Sequence, residues 1–195
     1  MGDNGWARIG TGSEEATMVL GRRRAGQAIN IYFDIDGVLN LYGRDPRPDS
    51  PDDQDLWGSY RSQSMMVTYS PDMIERLNTV LEDPEVTPYW LTTWESQAGW
   101  FGAHVGLRDA REWTWLPAVG MSSAGQWQKF ASIRRHVRTT RPSMAIWFDD
   151  DLAIQDDARA WADRTGFVHA QSPEPRIGLR PSDVDRLADL VGSAR

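Results

Sequence analysis

The chain has 195 residues, 40% of them hydrophobic and 25% charged, a balance that suits one globular domain with embellishments. Its 21 basic and 28 acidic side chains give a formal net charge of −7, which argues against a protein that coats nucleic acid but not against a local basic groove. The absence of cysteine excludes disulfides, thiolate catalysis and zinc–thiolate sites.

Residues 1–27 are rich in Gly, Ser, Thr and charge, and are expected to form a flexible N-terminal extension to a single domain over 28–195. The apolar stretch Ala16–Gly21 precedes its basic triplet, the reverse of a signal peptide. No apolar run approaches the roughly 18–20 residues that span a bilayer. A soluble, cytoplasmic protein without a membrane partner is expected, and no stable protein partner can be inferred.

Ala28–Phe33 reads as a short apolar strand running into Asp34-Ile35-Asp36-Gly37. A loop dense in Pro, Asp and Arg follows, and Trp57–Tyr69 has room for a short hairpin. Together residues 41–69 form the expected flap or small cap. Ser70-Pro71 starts a helix, with Ser as N-cap and Pro at the first helical position, and Met73, Ile74, Leu77, Val80 and Leu81 recur at helical spacing. Val86–Leu91 is a second strand, ending at Thr92-Thr93. Glu95–Leu107 looks helical but is interrupted by glycine, and Trp113–Pro117 is a short extended piece. A helix is expected over Gly125–Thr140, with Trp127, Phe130, Ile133 and Val137 on one side and Arg134, Arg135 and Arg138 on another. Met144–Phe148 is a third strand running into Asp149-Asp150-Asp151. A helix over Ile154–Arg164, a strand over Phe167–Ala170 and a helix over Pro181–Val191 complete the chain.

Short all-apolar strands alternating with helices indicate an α/β fold with a mostly parallel, buried sheet. Ligands of such sheets bind at the carboxyl ends of the strands. Here three strands end in Asp34 and Asp36, in Thr92-Thr93, and in Asp149-Asp150, and the helix before the third carries Lys129. Carboxylates, hydroxyl and ammonium at one edge suit phosphoryl transfer. A carboxylate attacks phosphorus, a metal ion and a lysine remove the repulsion between the two anions, and a second carboxylate moves the proton. Mg²⁺ prefers oxygen ligands, which Asp34 and Asp149 or Asp150 would supply.

The run Asp34-Ile35-Asp36-Gly37-Val38-Leu39-Asn40 resembles the first motif of the haloacid-dehalogenase-like (HAD) superfamily. The strand ending in Thr92 resembles its second motif, Lys129 its third and Phe148-Asp149-Asp150 its fourth, in the family's order. The resemblance implies a Rossmann-like three-layer α/β/α sandwich, Mg²⁺, Asp34 as nucleophile and Asp36 as general acid/base. It also implies a metal site of Asp34, the Asp36 carbonyl and Asp149 or Asp150. Thr92 is the implied phosphate-binding hydroxyl, with Thr93 one position on as the alternative. Gly37, where the chain turns, and Lys129 complete the candidate substrate-binding set. Trp90–Glu95 and Ile177–Arg180 also resemble small HAD domains found alone or fused in RNA-repair proteins, and polynucleotide phosphatases share this design.

Each feature has a plainer reading. Asp-x-Asp-Gly occurs in calcium loops, but here an apolar strand precedes it and Val-Leu follows. The triple aspartate suits a helix N-terminus, with Asp151 as the cap. Lys129 could be a surface residue, but it is the only lysine in the chain. Seven of the ten tryptophans fall between Trp90 and Trp147 and suit core packing, with base stacking by Trp94 or Trp100 as the lesser reading. Arg44, Arg47 and Arg61 in the flap could meet an anion. The expectation is a Mg²⁺-dependent phosphomonoesterase acting on nucleotide or nucleic-acid phosphate ends. A small-metabolite phosphatase and a non-catalytic binding module are the alternatives.

Overall fold

A computed structural model of the protein describes residues 28–41, 58–62 and 65–194. The extension expected over 1–27 and most of the expected flap, with Arg44, Arg47 and the Arg61 side chain, lie outside them.

The strand predicted before Asp34 is β1 (Ile29–Phe33), and it is the floor of the molecule. It pairs in parallel with β4 (Val86–Trp90) on one side and β6 (Met144–Phe148) on the other, so Phe33 lies between Trp90 and Phe148. β5 (Thr114–Trp115) extends the sheet beyond β4 and β7 (Val168–Gln171) beyond β6, giving a five-stranded parallel sheet in the order β5-β4-β1-β6-β7. Successive strands leave β1 in opposite directions, so the carboxyl end of β1 is the switch point where such sheets open a crevice.

Side-chain alternation builds two cores. Ile29, Ile31 and Phe33 face one layer, in which Met73, Ile74, Leu77 and Val80 of α1 (Pro71–Leu81), Phe101 of α2 (Ala98–Val105) and Leu187 of α5 (Pro181–Ser193) are buried. Tyr32 faces the other, with Phe130, Ile133 and Val137 of α3 (Gln128–Thr140) and Ala158 and Ala162 of α4 (Asp156–Thr165). The fold is therefore α/β in three layers. Every residue of β1 is buried, and truncating such a large side chain costs about 3–5 kcal/mol, so the strand gives Asp34 a rigid mount.

The start of α1 follows the local code: Ser70 accepts the Met73 N–H and Pro71 opens the helix. The segment before it forms an antiparallel hairpin, β2 (Gly58–Ser62) and β3 (Met65–Tyr69). The expected Glu95–Leu107 helix divides into a 3₁₀ turn at Glu95–Gln97 and α2. The helix expected from Gly125 starts at Gln128, because Gly125 sits at φ +69° and Met121 bridges Trp127. A 3₁₀ turn over Asp150–Ile154 precedes α4. Among the described residues no helix is long and apolar enough to cross a membrane.

Candidate active site

The loops at the carboxyl ends of β1, β4 and β6 meet the first turn of α3. The sheet's hydrogen bonding continues into them: the Asp34 N–H donates to the Phe148 carbonyl (3.0 Å), and the Asp149 N–H to that of Gln171 (3.1 Å). Lys129 enters this edge from α3 with its side chain almost wholly buried. Its ammonium lies 2.5 Å from Asp34 Oδ2, 3.0 Å from Asp149 Oδ2 and 3.9 Å from Asp151 Oδ2. The second oxygen of Asp34, Oδ1, accepts the Ile35 N–H at 2.7 Å. The Thr92 hydroxyl, also buried, lies close enough to the Asp34 side chain to pull its carboxyl pKa down, whereas Thr93 is exposed.

Asp34, Asp149 and Asp150 each offer an oxygen within 4.8 Å of those of the other two. Gly37 makes this approach possible. It turns at φ +73°, and a Cβ there would stand 2.4 Å from Asp150 Cγ. Asp36 is held differently: its Oδ2 accepts the Trp94 indole N–H at 2.8 Å and its Oδ1 the Asn40 amide at 2.6 Å. The expected cap role of Asp151 is corrected. Asp149 occupies the N-cap position of a 3₁₀ turn and accepts the Asp151 N–H, because that turn starts at Asp150, four residues before the helix expected from Ile154.

Burial governs the charges. It pushes the Asp34 carboxyl up from its ordinary pKa against the pull of Lys129. Burial, and then the neighbouring Asp34 charge, raise Asp149 well above the carboxylate range. The same two causes bring Asp150 to about 6. Burial alone would lower Lys129, but Asp149 and Asp34 outweigh it and hold the ammonium charged. Three carboxylates against one ammonium leave negative charge in a buried place, which a dication would neutralise.

The chain matches the family described as the HAD domain in Swiss Army Knife RNA repair proteins, over residues 30–184. The chain belongs to this family. No curated protein and no solved structure matches it. Membership places this HAD domain among the HAD-type hydrolases and phosphatases in general.

The family generally uses Mg²⁺, and the donor set fits a hard cation. It is all oxygen and excess negative, and Asp149 Oδ2 is buried with the Lys129 ammonium, 3.0 Å away, as its charge partner. Asp34, Asp149 and Asp150 are the residues that could hold the ion.

Other contributions were not legible in the sequence. Asn40 joins Asp36 to the hairpin, because its Oδ1 accepts the Thr68 N–H (3.0 Å) while the Leu41 N–H donates to the Thr68 carbonyl (2.9 Å). Gly178 lies against the loop after β1; a Cβ there would meet Leu41 at 2.4 Å and the Val38 carbonyl at 2.6 Å. The run Ile177–Arg180, singled out by its resemblance, thus packs on the Asp34–Leu41 loop, and the Leu179 N–H donates to the Val38 carbonyl (3.0 Å). Glu95, at φ +44°, accepts the Ala118 N–H and ties the loop after β4 to the segment leading to Lys129. The arginines of α3 line its outer side, where Arg134 covers Phe130 and Arg135 and Arg138 are exposed.

Proposed function

We propose that this HAD domain is a Mg²⁺-dependent phosphomonoester hydrolase that works through an aspartyl phosphate on Asp34, acting on phosphate ends of nucleic acid. The observation that carries the reading is the buried contact of Lys129 with both Asp34 and Asp149. It places a cation where an attacking carboxylate and an incoming phosphate would otherwise repel each other.

In the proposed reaction Asp34 attacks phosphorus and the bond to the leaving oxygen breaks. That oxygen takes its proton from Asp36. Water then loses a proton to Asp36 and attacks the phosphorus of the acyl phosphate, releasing phosphate and restoring the Asp34 carboxylate. Thr92 and Lys129 bind nonbridging oxygens, with Thr93 as the alternative hydroxyl. Gly37 leaves room for the carboxylate of Asp150. Asp34, Asp149, Asp150 and the Asp36 carbonyl would hold Mg²⁺, which would supply charge neutralisation for the phosphoryl group.

The ranking of substrates rests on the association of the family with RNA repair and on the shortness of the hairpin before α1, which suits a large substrate. A small-metabolite phosphatase is the second reading. A non-catalytic binding module is disfavoured by a buried cluster of like charges, which is costly without a cation or a task.

Release of phosphate from a chromogenic monoester, with Mg²⁺ and with chelator, tests the reaction. Activity is expected with the metal alone and near-complete loss in Asp34→Asn. Equal activity of variant and parent would overturn the nucleophile assignment. Oligonucleotides phosphorylated at the 3′ or 5′ end, mononucleotides and sugar phosphates compared side by side test the substrate class. A panel in which only sugar phosphates react would reject nucleic-acid ends.

A further inference from the structure

Each of the two oxygens of the Asp36 carboxyl is held by an uncharged side-chain donor that cannot accept. The Trp94 indole N–H reaches Oδ2 at 2.8 Å, and the Asn40 amide nitrogen reaches Oδ1 at 2.6 Å. We propose that Trp94 and Asn40 are positioning residues that fix the plane of the Asp36 carboxyl, so that the oxygen position carrying the proton is aimed at the leaving oxygen. The inference rests on the acid/base role given to Asp36 above.

Both donors are themselves fixed. Asn40 is buried, and its Oδ1 accepts the Thr68 N–H, so the opposite amide orientation would set oxygen against carboxylate and NH₂ against N–H. Trp94 sits in the turn after β4, where its own N–H bonds Thr92 Oγ1 (3.4 Å) and the Glu95 N–H bonds the Thr92 carbonyl (3.0 Å). Its ring packs edge-on against Phe101 at 5.6 Å. A carboxyl clamped on two sides cannot rotate without losing both bonds. A carboxylate has about four lone-pair positions, so two donors leave positions for a proton to come and go. Asp36 and Trp94 are both half-buried, so the group stays reachable from solvent.

Positioning is separable from structural support by the leaving group. Para-nitrophenolate departs without a proton, whereas an alkoxide needs one. The ratio kcat/KM reports formation of the phosphoenzyme and leaves out its hydrolysis, which is common to both esters. Full-length Trp94→Phe, with Mg²⁺, is expected to lose about 10- to 100-fold in kcat/KM on glycerol phosphate, up to the lower end of the roughly 100- to 10,000-fold that general acid catalysis contributes. On para-nitrophenyl phosphate it should stay within about threefold of the parent. In an Asp36→Asn background, Trp94→Phe should cause no further loss on glycerol phosphate, because the group it positions is gone.

Equal losses on the two esters, or losses that multiply in the double variant, would overturn the proposal. Melting curves identify a folding defect. Should Trp94→Phe melt early, Asn40→Asp tests the same point, since it keeps the acceptor for Thr68 and replaces the donor to Asp36. It too must discriminate between the esters, and equal loss there overturns the proposal. A parent enzyme that releases phosphate from neither these esters nor the phosphorylated oligonucleotides refutes instead the phosphatase reading on which the inference rests.

Discussion

Gly37 and Asp150 touch across two loops that lie more than a hundred residues apart in sequence: a Cβ at position 37 would stand 2.4 Å from Asp150 Cγ and 2.5 Å from its Oδ2. The glycine therefore serves two ends. Its φ of +73° turns the chain away from β1, and its missing side chain lets a third carboxylate join Asp34 and Asp149.

Gly37→Ala should accordingly weaken Mg²⁺ binding as well as stability. The left-handed backbone alone costs about 1–2 kcal/mol with a side chain present, and Asp150 has to move. Calorimetric titration of Gly37→Ala and Asp150→Ala with Mg²⁺ should show both binding more weakly than the parent. Parental affinity in Gly37→Ala would sink the link between the turn and the metal site.

The fold was readable because its signals are local. An apolar run into Asp-x-Asp-Gly, a Ser-Pro helix start and a lone lysine each depend on a few adjacent residues. The convergence of Asp34, Asp149, Asp150 and Lys129 follows once the strands are known to be parallel. What stayed hidden depends on contacts between distant segments. The bond from Trp94 to Asp36 spans 58 positions, and no local pattern marks an indole as a carboxylate's partner. Gly178 reads as a loop glycine until Val38 and Leu41 lie against it. The late start of α3 has a similar cause, because the bridge between Met121 and Trp127 takes Trp127 out of the helix expected there.

Lys129→Met should destabilise the protein by about 3–5 kcal/mol in the absence of metal, the usual cost of leaving buried charges without their partner. Asp34 and Asp149 would both lose their ammonium. Urea unfolding measures the change. Adding Asp34→Asn to Lys129→Met should recover part of the loss, and strict additivity of the two would show that the pair does not interact.

Mg²⁺ should raise the melting temperature, by a free energy of about 2.7 kcal/mol at a hundred times its Kd, and Asp149→Asn should abolish most of that rise. The metal-free protein has a pH signature. The carboxyl of Asp150 lies at about 6 in the fold against an ordinary 3.8, raised by burial and then by Asp34. A raised acid favours folding while protonated, so this contribution is full below 3.8 and is lost as pH climbs through about 6. Metal-free Asp150→Asn should therefore gain on the parent as pH rises across that window. A constant difference between the two melting curves would refute it.

A second pH dependence belongs to the opposite face of β1. Tyr32 Oη lies 2.9 Å from His136 Nδ1 and accepts the Asn30 amide at 3.1 Å, so the phenol is left to donate to the imidazole. Tyr32 stays protonated, its pKa raised by burial. His136 packs edge-on against Tyr89 at 4.5 Å, and burial lowers its pKa from 6.5. Protonation would place a charge against the rings of Tyr32 and Tyr89 and turn the acceptor Nδ1 into a second donor facing the phenol. The sign follows from a folded pKa below the unfolded one: the stabilisation is present above 6.5 and is lost as pH falls towards the folded value. Melting temperatures of parent and His136→Gln, taken from about pH 8 to about pH 5, should hold a constant gap at the upper end. The gap should shift in favour of the glutamine variant below 6.5, where the unfolded histidine takes up its proton. A gap that stays constant throughout would show that the imidazole titrates as freely in the fold as in the open chain.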